Sequence, residues 1–309
     1  MSVEQAYEQL SAIEGATVVR DERMVRHTTL RVGGVAALFV TCDTFTALRR
    51  TVDALLACGV PWVIMGRGSG VIVADEGFAG AVLCLGEEFR RLRVDDRQTM
   101  HAGAAVNVQR AVQDAFSRGL TGLEGLAGVP GTMGGAVSTN ATMGDSFIGT
   151  IVDEIVSFRP GTGFVRHAGS DVTWFPRVTD LPSSEVILEV AVRLAVGGVE
   201  AEKRLMETAL SWRGSTQPIR RPSVDAIFAD PVGEDGRMID ARGLIESCGM
   251  AGHTCGRARA FEANPNYIVN LGGATSSEVV QVIYDIMSKV RQSHGIELRP
   301  EVKFLGFPS

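Results

Sequence analysis

The amino-acid sequence predicts an α+β fold, in which helices are mixed with parallel and antiparallel strands. An apolar run at 37–41, an amphipathic helix and a second apolar run at 61–65 lead into a glycine loop, which is typical of a parallel βαβ element. Further along, two apolar runs flank the polar turn 95–97 as in a β-hairpin, and apolar residues alternate along 186–194. At about 150 residues per domain, the length of 309 residues predicts two domains.

The N-terminal part of the chain contains two clear helix signals. Apolar residues at helical spacing predict a helix over 3–13, which Gly15 stops. A second helix is predicted over 45–56, with Asp43 or Thr44 as its N-cap. The apolar runs on either side of this second helix supply the strands of the βαβ element.

The rest of the chain follows from the same periodicities. Residues 122–144 are dense in glycine and are predicted to be irregular. The capping box from Thr275 to Glu278 predicts the start of a long helix that Gly295 ends. The other predicted elements are strands 89–94, 99–102, 151–158, 186–194 and 296–304, and helices 108–116 and 199–213.

One domain boundary is predicted near residue 197, where the alternating strand gives way to a charged helix and then to proline-rich chain. This places an N-terminal domain at 1–197, with subdomains of about 1–80 and 81–197. The C-terminal domain is predicted to cover 198–309.

The charge balance argues against nucleic acid and membranes as partners. Thirty basic residues face 36 acidic ones, which gives a net charge of −6, and no apolar run approaches the length of a membrane span. The five cysteines are odd in number and scattered, which favours a reduced, cytoplasmic setting. The oligomeric state does not follow from the sequence.

Glycine is the residue type in clear excess, at 36 of 309 residues or about 12%, against a usual value of about 7%. The glycines concentrate in the loop 66–70 (GRGSG) and in the segment 125–136 (GLAGVPGTMGGA). Backbone N–H groups that no side chain covers can surround a phosphate. The first loop alone is equally consistent with a tight turn. The second segment favours contact with a flat or multiply charged ligand, because so many glycines cost backbone entropy.

Several motifs in one order carry a family resemblance. They are residues 28–34 (TTLRVGG), the loop 66–70 followed by 74–78 (ADEGF), the segment 122–136, Asn140-Ala141 and Pro300-Glu301-Val302. Over about 17–306 the chain resembles the short form of the UDP-N-acetylenolpyruvoylglucosamine reductases, also called UDP-N-acetylmuramate dehydrogenases. The resemblance implies an FAD-binding domain of the vanillyl-alcohol-oxidase type, made of two α/β subdomains, and a C-terminal α+β substrate domain.

The same resemblance implies non-covalent FAD as cofactor and NADPH as hydride donor. Gly70 stands where the family usually has asparagine. The residues predicted to contact FAD are Gly66, Arg67, Gly68, Ser69, Gly70, Val129, Pro130, Gly131, Thr132, Gly134, Gly135, Ala136, Asn140 and Ile151.

The family reduces the enol ether of UDP-N-acetylglucosamine enolpyruvate in peptidoglycan precursor synthesis, and so serves cell-wall biogenesis, cell shape and cell division. By resemblance, Arg177 and Glu301 are the arginine and glutamate that act at the developing enolate. The family's proton-donating serine falls on Ala226, and its tyrosine falls on Pro176. Alanine has no exchangeable proton, so water or the neighbouring Asp225 is predicted to deliver it.

On the substrate side, Arg213 and Arg259 are predicted to contact the UDP-sugar, although Arg259 is equally consistent with an exposed cation. Cys248, His253 and Cys255 lack a fourth ligand, so no metal is expected. Because of the changes around Ala226, two alternatives stay open. One is a divergent FAD-dependent paralogue that acts on another substrate. The other is an inactive protein that binds a flavin or a nucleotide sugar.

Overall fold

The computed structural model describes residues 2–143, 146–233 and 236–308; Gly144, which closes the predicted irregular segment, lies outside them. The helices are α1 Val3–Ser11, α2 Phe45–Cys58, α3 Val108–Ser117, α4 Met133–Ser138, α5 Val199–Thr216, α6 Ala241–Ser247 and α7 Ser276–His294. The strands are β1 Ala16–Arg23, β2 Val35–Cys42, β3 Trp62–Ile64, β4 Val71–Val73, β5 Phe78–Leu85, β6 Leu92–Val94, β7 Thr99–Gly103, β8 Leu120–Thr121, β9 Thr142–Met143, β10 Ser146–Phe147, β11 Val152–Arg159, β12 Gly163–Ala168, β13 Trp174–Phe175, β14 Val178–Thr179, β15 Val186–Arg193, β16 Ala195–Val196, β17 Thr254–Cys255, β18 Ala258–Ala260, β19 Ile268–Asn270 and β20 Lys303–Leu305.

The chain divides into two compact units. The first unit contains residues 1–21, 37–67 and 80–211, and the second contains 22–36, 68–79 and 212–309. The predicted boundary at residue 197 therefore differs from the division in space, which falls within α5. The segment 68–79 joins the second unit because β4 pairs with β20 and Asp75 binds the start of α7. The segment 22–36 joins it because Asn270 donates to the carbonyl of Leu30 and the N–H of Ser223 donates to that of Thr29.

The first unit contains a four-stranded sheet in the order β1-β2-β5-β3, with α1 and α2 packed on its core. Thr44 is the N-cap of α2, as the sequence predicts, and Gly59 is its C-cap. The strand β3 pairs in parallel with β5, which separates it from β2. The two strands that flank α2 are therefore not neighbours, and the predicted βαβ element has a third strand inserted in it.

A second sheet in the first unit is antiparallel, in the order β12-β11-β15-β7-β6. The predicted hairpin across 95–97 is confirmed as β6 and β7, and the alternation along 186–194 is confirmed as β15. The helices α3 and α4 lie over this sheet around a buried core that includes Met133, Val190 and Val192.

The second unit is built on the antiparallel sheet β17-β18-β19, the parallel pair β4–β20, and the helices α6 and α7. The predicted capping box is confirmed: Thr275 accepts from Glu278, and Gly295 ends α7 with a φ of +69°. The predicted strand 296–304 is wrong for most of its length, since only 303–305 is a strand. The chain before β20 instead forms one isolated bridge, between Pro300 and Phe228.

The N-terminus of α7 is capped from a distant part of the sequence. The carboxylate of Asp75 accepts from the N–H groups of Ser276 and Ser277 at 2.7 and 3.0 Å. Burial raises the pKa of Asp75, but these hydrogen bonds outweigh it and hold the pKa below its usual value. The contribution to stability is therefore present above the unfolded carboxyl pKa of about 3.9 and is lost as the pH falls through the lower folded value.

We expect Asp75→Asn to lower the free energy of unfolding by about 1 kcal/mol at pH 7, because the cap loses its negative charge at a helix N-terminus. The loss should shrink as the pH approaches 3, where the wild-type carboxylate begins to take up a proton. Thermal unfolding of both proteins at pH 7 and pH 3 measures this. The exposed neighbour Glu76 gives the control Glu76→Gln, and equal losses for the two variants would contradict the capping role.

Candidate functional site

The glycine loop 66–70 is held by its carbonyl groups. The carbonyls of its last three residues accept from the N–H groups of Thr29, Asp225 and Lys303, at 3.3, 2.8 and 2.9 Å. Among residues 2–143, 146–233 and 236–308, the five N–H groups of the loop donate to no acceptor. The loop thus presents a run of uncommitted amide donors, which is the arrangement that binds phosphate oxygens.

Two glycines in this loop are required by their surroundings. Gly68 has a φ of +64°, and a Cβ there would lie 2.4 Å from the carbonyl oxygen of His27. A Cβ on Gly66 would lie 2.8 Å from the hydroxyl of Thr132, so this end of the loop touches the second glycine-rich segment within the first unit. Larger residues at either position would push the backbone away from its place.

The segment 129–136 is more regular than predicted, since it contains the short helix α4. Thr132 caps this helix and accepts from Gly135. The N–H groups of Met133 and Gly134 are used inside the fold, where they donate to carbonyls of the chain near β7. Those of Gly131 and Thr132 make no hydrogen bond within the described chain. Two amide donors therefore remain available in this segment.

Gln109, on α3, holds the chain that leads into this segment, a role that no sequence pattern predicted. Its side-chain amide donates to the carbonyls of Leu126 and Val129 at 3.1 and 3.0 Å, and its oxygen accepts from Gly128 at 2.9 Å. Glutamine on a helix carries no signal for this role in sequence alone, because its partners lie about 20 residues away.

Asn140 and Ile151 have mainly structural contacts. The buried Asn140 has a φ of +42°; its amide donates to the carbonyl of Phe175 at 2.8 Å, and its oxygen accepts from Gly149 at 3.0 Å. Ile151 packs partly against the core, and its carbonyl accepts from Arg193. Both side-chain ends of Asn140 are thus engaged by backbone.

Arg177 lies at the tip of the hairpin formed by β13 and β14, directly after Pro176. It has a φ of +61°, which arginine adopts rarely. Proline at the first central position and a positive φ at the second are typical of a type II turn. The carbonyl of Phe175, two residues earlier, is the one that Asn140 holds. The arginine is therefore carried on a turn that a buried side chain anchors.

In the second unit, the chain around Asp225 brings several predicted residues together. The N–H of Asp225 donates to Ser69, and its carboxylate accepts from the N–H of Ala226 at 2.8 Å. The N–H of Glu301 donates to the carbonyl of Ile227 at 2.8 Å. Asp225, Ala226 and the backbone of Glu301 therefore lie next to one another, beside the end of the glycine loop.

Arg213 belongs to the same group of residues. It is only 7% exposed, and its guanidinium donates to Gln217 at 3.2 Å. Burial lowers its pKa, while the nearby Tyr267 and Asp225 act in the opposite direction. Arginine stays protonated in proteins, so a buried cation lies close to a phenol and a carboxylate. Tyr267 was not singled out from the sequence, where it is one aromatic residue within a strand pattern.

Arg259 is engaged on the surface of the second unit. Its guanidinium donates to the hydroxyl of Thr254 at 3.1 Å and to the carboxylate of Glu262 at 2.8 Å. A ligand that uses this cation would have to share it with Glu262.

The cysteines and histidines do not assemble into a metal site in the described residues. No group of three or more histidine, cysteine, aspartate or glutamate side chains there is arranged to hold an ion. His253 instead makes a hydrogen bond with Asp285, with 2.7 Å between Nε2 and Oδ2. All five cysteines are free thiols, and no helix in the described ranges is long and apolar enough to cross a membrane.

Comparison with known proteins places this geometry in a family. Residues 36–161 match the model of an FAD binding domain, and residues 217–305 match the C-terminal domain of UDP-N-acetylenolpyruvoylglucosamine reductase. The reductase from Heliobacterium modesticaldum is 34% identical, over 93% of this chain and 90% of that protein. The one from Anaeromyxobacter dehalogenans is 36% identical, over 93% and 85%. The chain belongs to the UDP-N-acetylenolpyruvoylglucosamine reductase family.

The structure of a known reductase agrees with this family assignment. The crystal structure of UDP-N-acetylenolpyruvylglucosamine reductase (MurB) from Thermus caldophilus is 28% identical, with a TM-score of 0.78 over 94% of this chain and 98% of that one. The family resemblance and the α+β fold with an FAD-binding domain are thereby confirmed. The roles of individual residues, Ala226 included, stay predictions.

Proposed function

We propose that this chain is an FAD-dependent reductase that uses NADPH to convert UDP-N-acetylglucosamine enolpyruvate to UDP-N-acetylmuramate. The observation that carries the proposal is the set of uncommitted N–H groups in residues 66–70 and 131–132. Membership of the reductase family supplies the substrate and the reductant.

The chain fits FAD through amide donors. A pyrophosphate needs several donors at close range, and backbone N–H groups provide them without added positive charge. Arg67, the second residue of this loop, adds one cation. The proposed contacts are Gly66, Arg67, Gly68, Ser69, Gly70, Val129, Pro130, Gly131, Thr132, Gly134, Gly135, Ala136, Asn140 and Ile151. When bound, FAD takes two electrons from NADPH and passes them to the substrate.

The chain's own residues would manage the charge that develops on the substrate. As hydride reaches the enol ether, negative charge builds on the neighbouring carbon and its carboxylate. Arg177 would stabilise this charge, and Glu301 would orient the reacting group. The carbon then needs a proton, for which Asp225 and water are the sources that the sequence suggests.

Substrate binding would rest on cations in the second unit. A UDP-sugar carries a diphosphate, and guanidinium groups bind phosphate oxygens in a fixed geometry. A role for Arg213 in substrate binding is supported by its burial and by its hydrogen bond to Gln217, which orients the guanidinium. Arg259 would contribute by exchanging its bond to Glu262 for one to the ligand.

The test follows flavin absorbance under anaerobic conditions. The purified protein, loaded with FAD, should lose flavin absorbance on addition of NADPH and regain it on addition of UDP-N-acetylglucosamine enolpyruvate. UDP-N-acetylglucosamine, which lacks the enol ether, should leave the flavin reduced. Failure to take up FAD would contradict the cofactor site. Reduction by NADPH without reoxidation by substrate would contradict the reductase and favour the paralogue that acts on another substrate, whereas FAD binding without reduction by NADPH would favour the inactive binding protein.

A further inference from the structure

The chain around Ala226 contains a β-bulge. Residues 222–228 run antiparallel to β19 and the residues before it. The N–H of Val224 donates to the carbonyl of Ile268 at 3.4 Å, and the N–H of Ile227 donates to that of Asn266 at 2.8 Å. The two donors are three residues apart, whereas the two acceptors are two residues apart. One extra residue is therefore accommodated between these hydrogen bonds.

The residues inside the bulge are those of the predicted proton-transfer site. Asp225 and Ala226 lie on the bulged side, and Tyr267 is the single residue that opposes them. In a bulge of this kind two residues face one partner, and such irregularities often re-aim side chains next to active sites. The tyrosine thus stands across from the position where the family resemblance places a serine.

The surroundings of Tyr267 suit a group that gives up a proton. The side chain of tyrosine carries an O–H group that can donate a proton. The buried guanidinium of Arg213 lies close enough for its charge to interact with Tyr267 and Asp225. A cation beside a phenol stabilises the phenolate that remains after proton transfer.

We propose that Tyr267 delivers the proton that the missing serine would otherwise supply; this rests on the proposed reductase function. The incoming hydride forms a C–H bond at one carbon of the enol ether, and the π electron pair moves to the adjacent carbon. There the O–H bond of Tyr267 breaks as a second C–H bond forms. Tyr267 becomes a phenolate beside Arg213 and regains its proton from solvent water.

Asp225 fits a different role in this arrangement. Its carboxylate oxygen accepts the N–H of Ala226 at 2.8 Å, so it acts as a hydrogen-bond acceptor at the bulge. Its N–H donates to the carbonyl of Ser69 at 2.8 Å, so the backbone of Asp225 is also held in place. Asp225 is therefore a positioning residue, which holds the shape of the bulge opposite Tyr267.

The experiment compares the two half-reactions in Tyr267→Phe and in the double variant Ala226→Ser/Tyr267→Phe. Reduction of the flavin by NADPH should be unchanged in both, because no substrate proton is involved. Reoxidation by UDP-N-acetylglucosamine enolpyruvate should slow by about 10²- to 10⁴-fold in Tyr267→Phe, the usual effect of losing a general acid. The added serine should recover at least tenfold of that loss. Tyr284→Phe, on the exposed face of α7, is the control and should match the wild type.

Deuterium in the product gives a readout other than rate. In D₂O the wild type should place one deuterium at the protonated carbon with a single configuration, whereas Tyr267→Phe should give both configurations, because water then supplies the proton. If the flavin of Tyr267→Phe is reoxidised within threefold of the wild-type rate, Tyr267 is not the proton donor. The proposed reductase function is not affected by that result. A slow variant that serine does not rescue also overturns the role of Tyr267 as proton donor, since Tyr267 then only holds substrate. If the substrate does not reoxidise the flavin of the wild-type protein, both the proposed reductase function and the role of Tyr267 are overturned.

Discussion

Replacing Gly68 by alanine is expected to leave the purified protein unable to retain FAD. The new Cβ would lie 2.4 Å from the carbonyl oxygen of His27, on a backbone with a φ of +64°. Relief of the clash moves the loop 66–70, and with it the uncommitted N–H groups that we propose to bind the FAD pyrophosphate. We expect a loss of about 2–4 kcal/mol in stability, from the positive φ and from the overlap. The ratio of flavin to protein absorbance after dialysis measures retention.

Gly59 offers a matched control for this substitution. It has the same φ of +64°, at the end of α2, but a Cβ there meets no atom within 4 Å. Gly59→Ala should therefore cost only the conformational part, about 1 kcal/mol, and should keep FAD. If both variants retained flavin equally, the loop would not be the phosphate site.

Replacing Glu301 by glutamine is expected to reduce substrate-dependent reoxidation of the flavin by about 10²-fold, because the carboxylate that would orient the reacting group is lost. The N–H of Glu301 is tied to Ile227, next to Ala226, so the backbone of the variant should keep its position. The amide removes the negative charge with almost no change in shape. Stopped-flow absorbance gives the rate, and NADPH-driven reduction should be unaffected because it precedes the substrate step.

Glu297 supplies the control for this charge change. It lies four residues earlier, and its side chain is 71% exposed beside Arg291. Glu297→Gln should retain the wild-type rate. A similar rate loss in both variants would mean that net charge, and not a specific carboxylate, controls the reaction.

The periodic elements were predictable because they depend on neighbours in sequence. The start of α2 at Thr44 and the capping box of α7 follow from local hydrogen bonds, and the alternation along β15 follows from one buried face. No sequence pattern predicted β5, the eight-residue apolar strand that separates β3 from β2. Its place in the sheet is decided by pairing with distant chain, which a local pattern does not encode.

The candidate site divides in the same way. The glycine-rich segments stand out by composition, so the residues that present amide donors could be predicted. The side chains that hold them could not: Gln109 acts across about 20 residues, and Asp75 caps a helix about 200 residues away. The role proposed for Tyr267 depends on the bulge opposite it, where one extra residue shifts the register of the strand pairing.

The carbonyl anchors of the loop 66–70 have a consequence for how the protein matures. One anchor is the N–H of Lys303, and β4, the strand that follows the loop, pairs with β20, which lies about 230 residues further along the chain. During synthesis the N-terminal chain emerges first, so these partners arrive last. The loop 66–70 therefore cannot gain its last carbonyl anchor until Lys303 has emerged, and any ligand that needs the anchored loop binds only after that point.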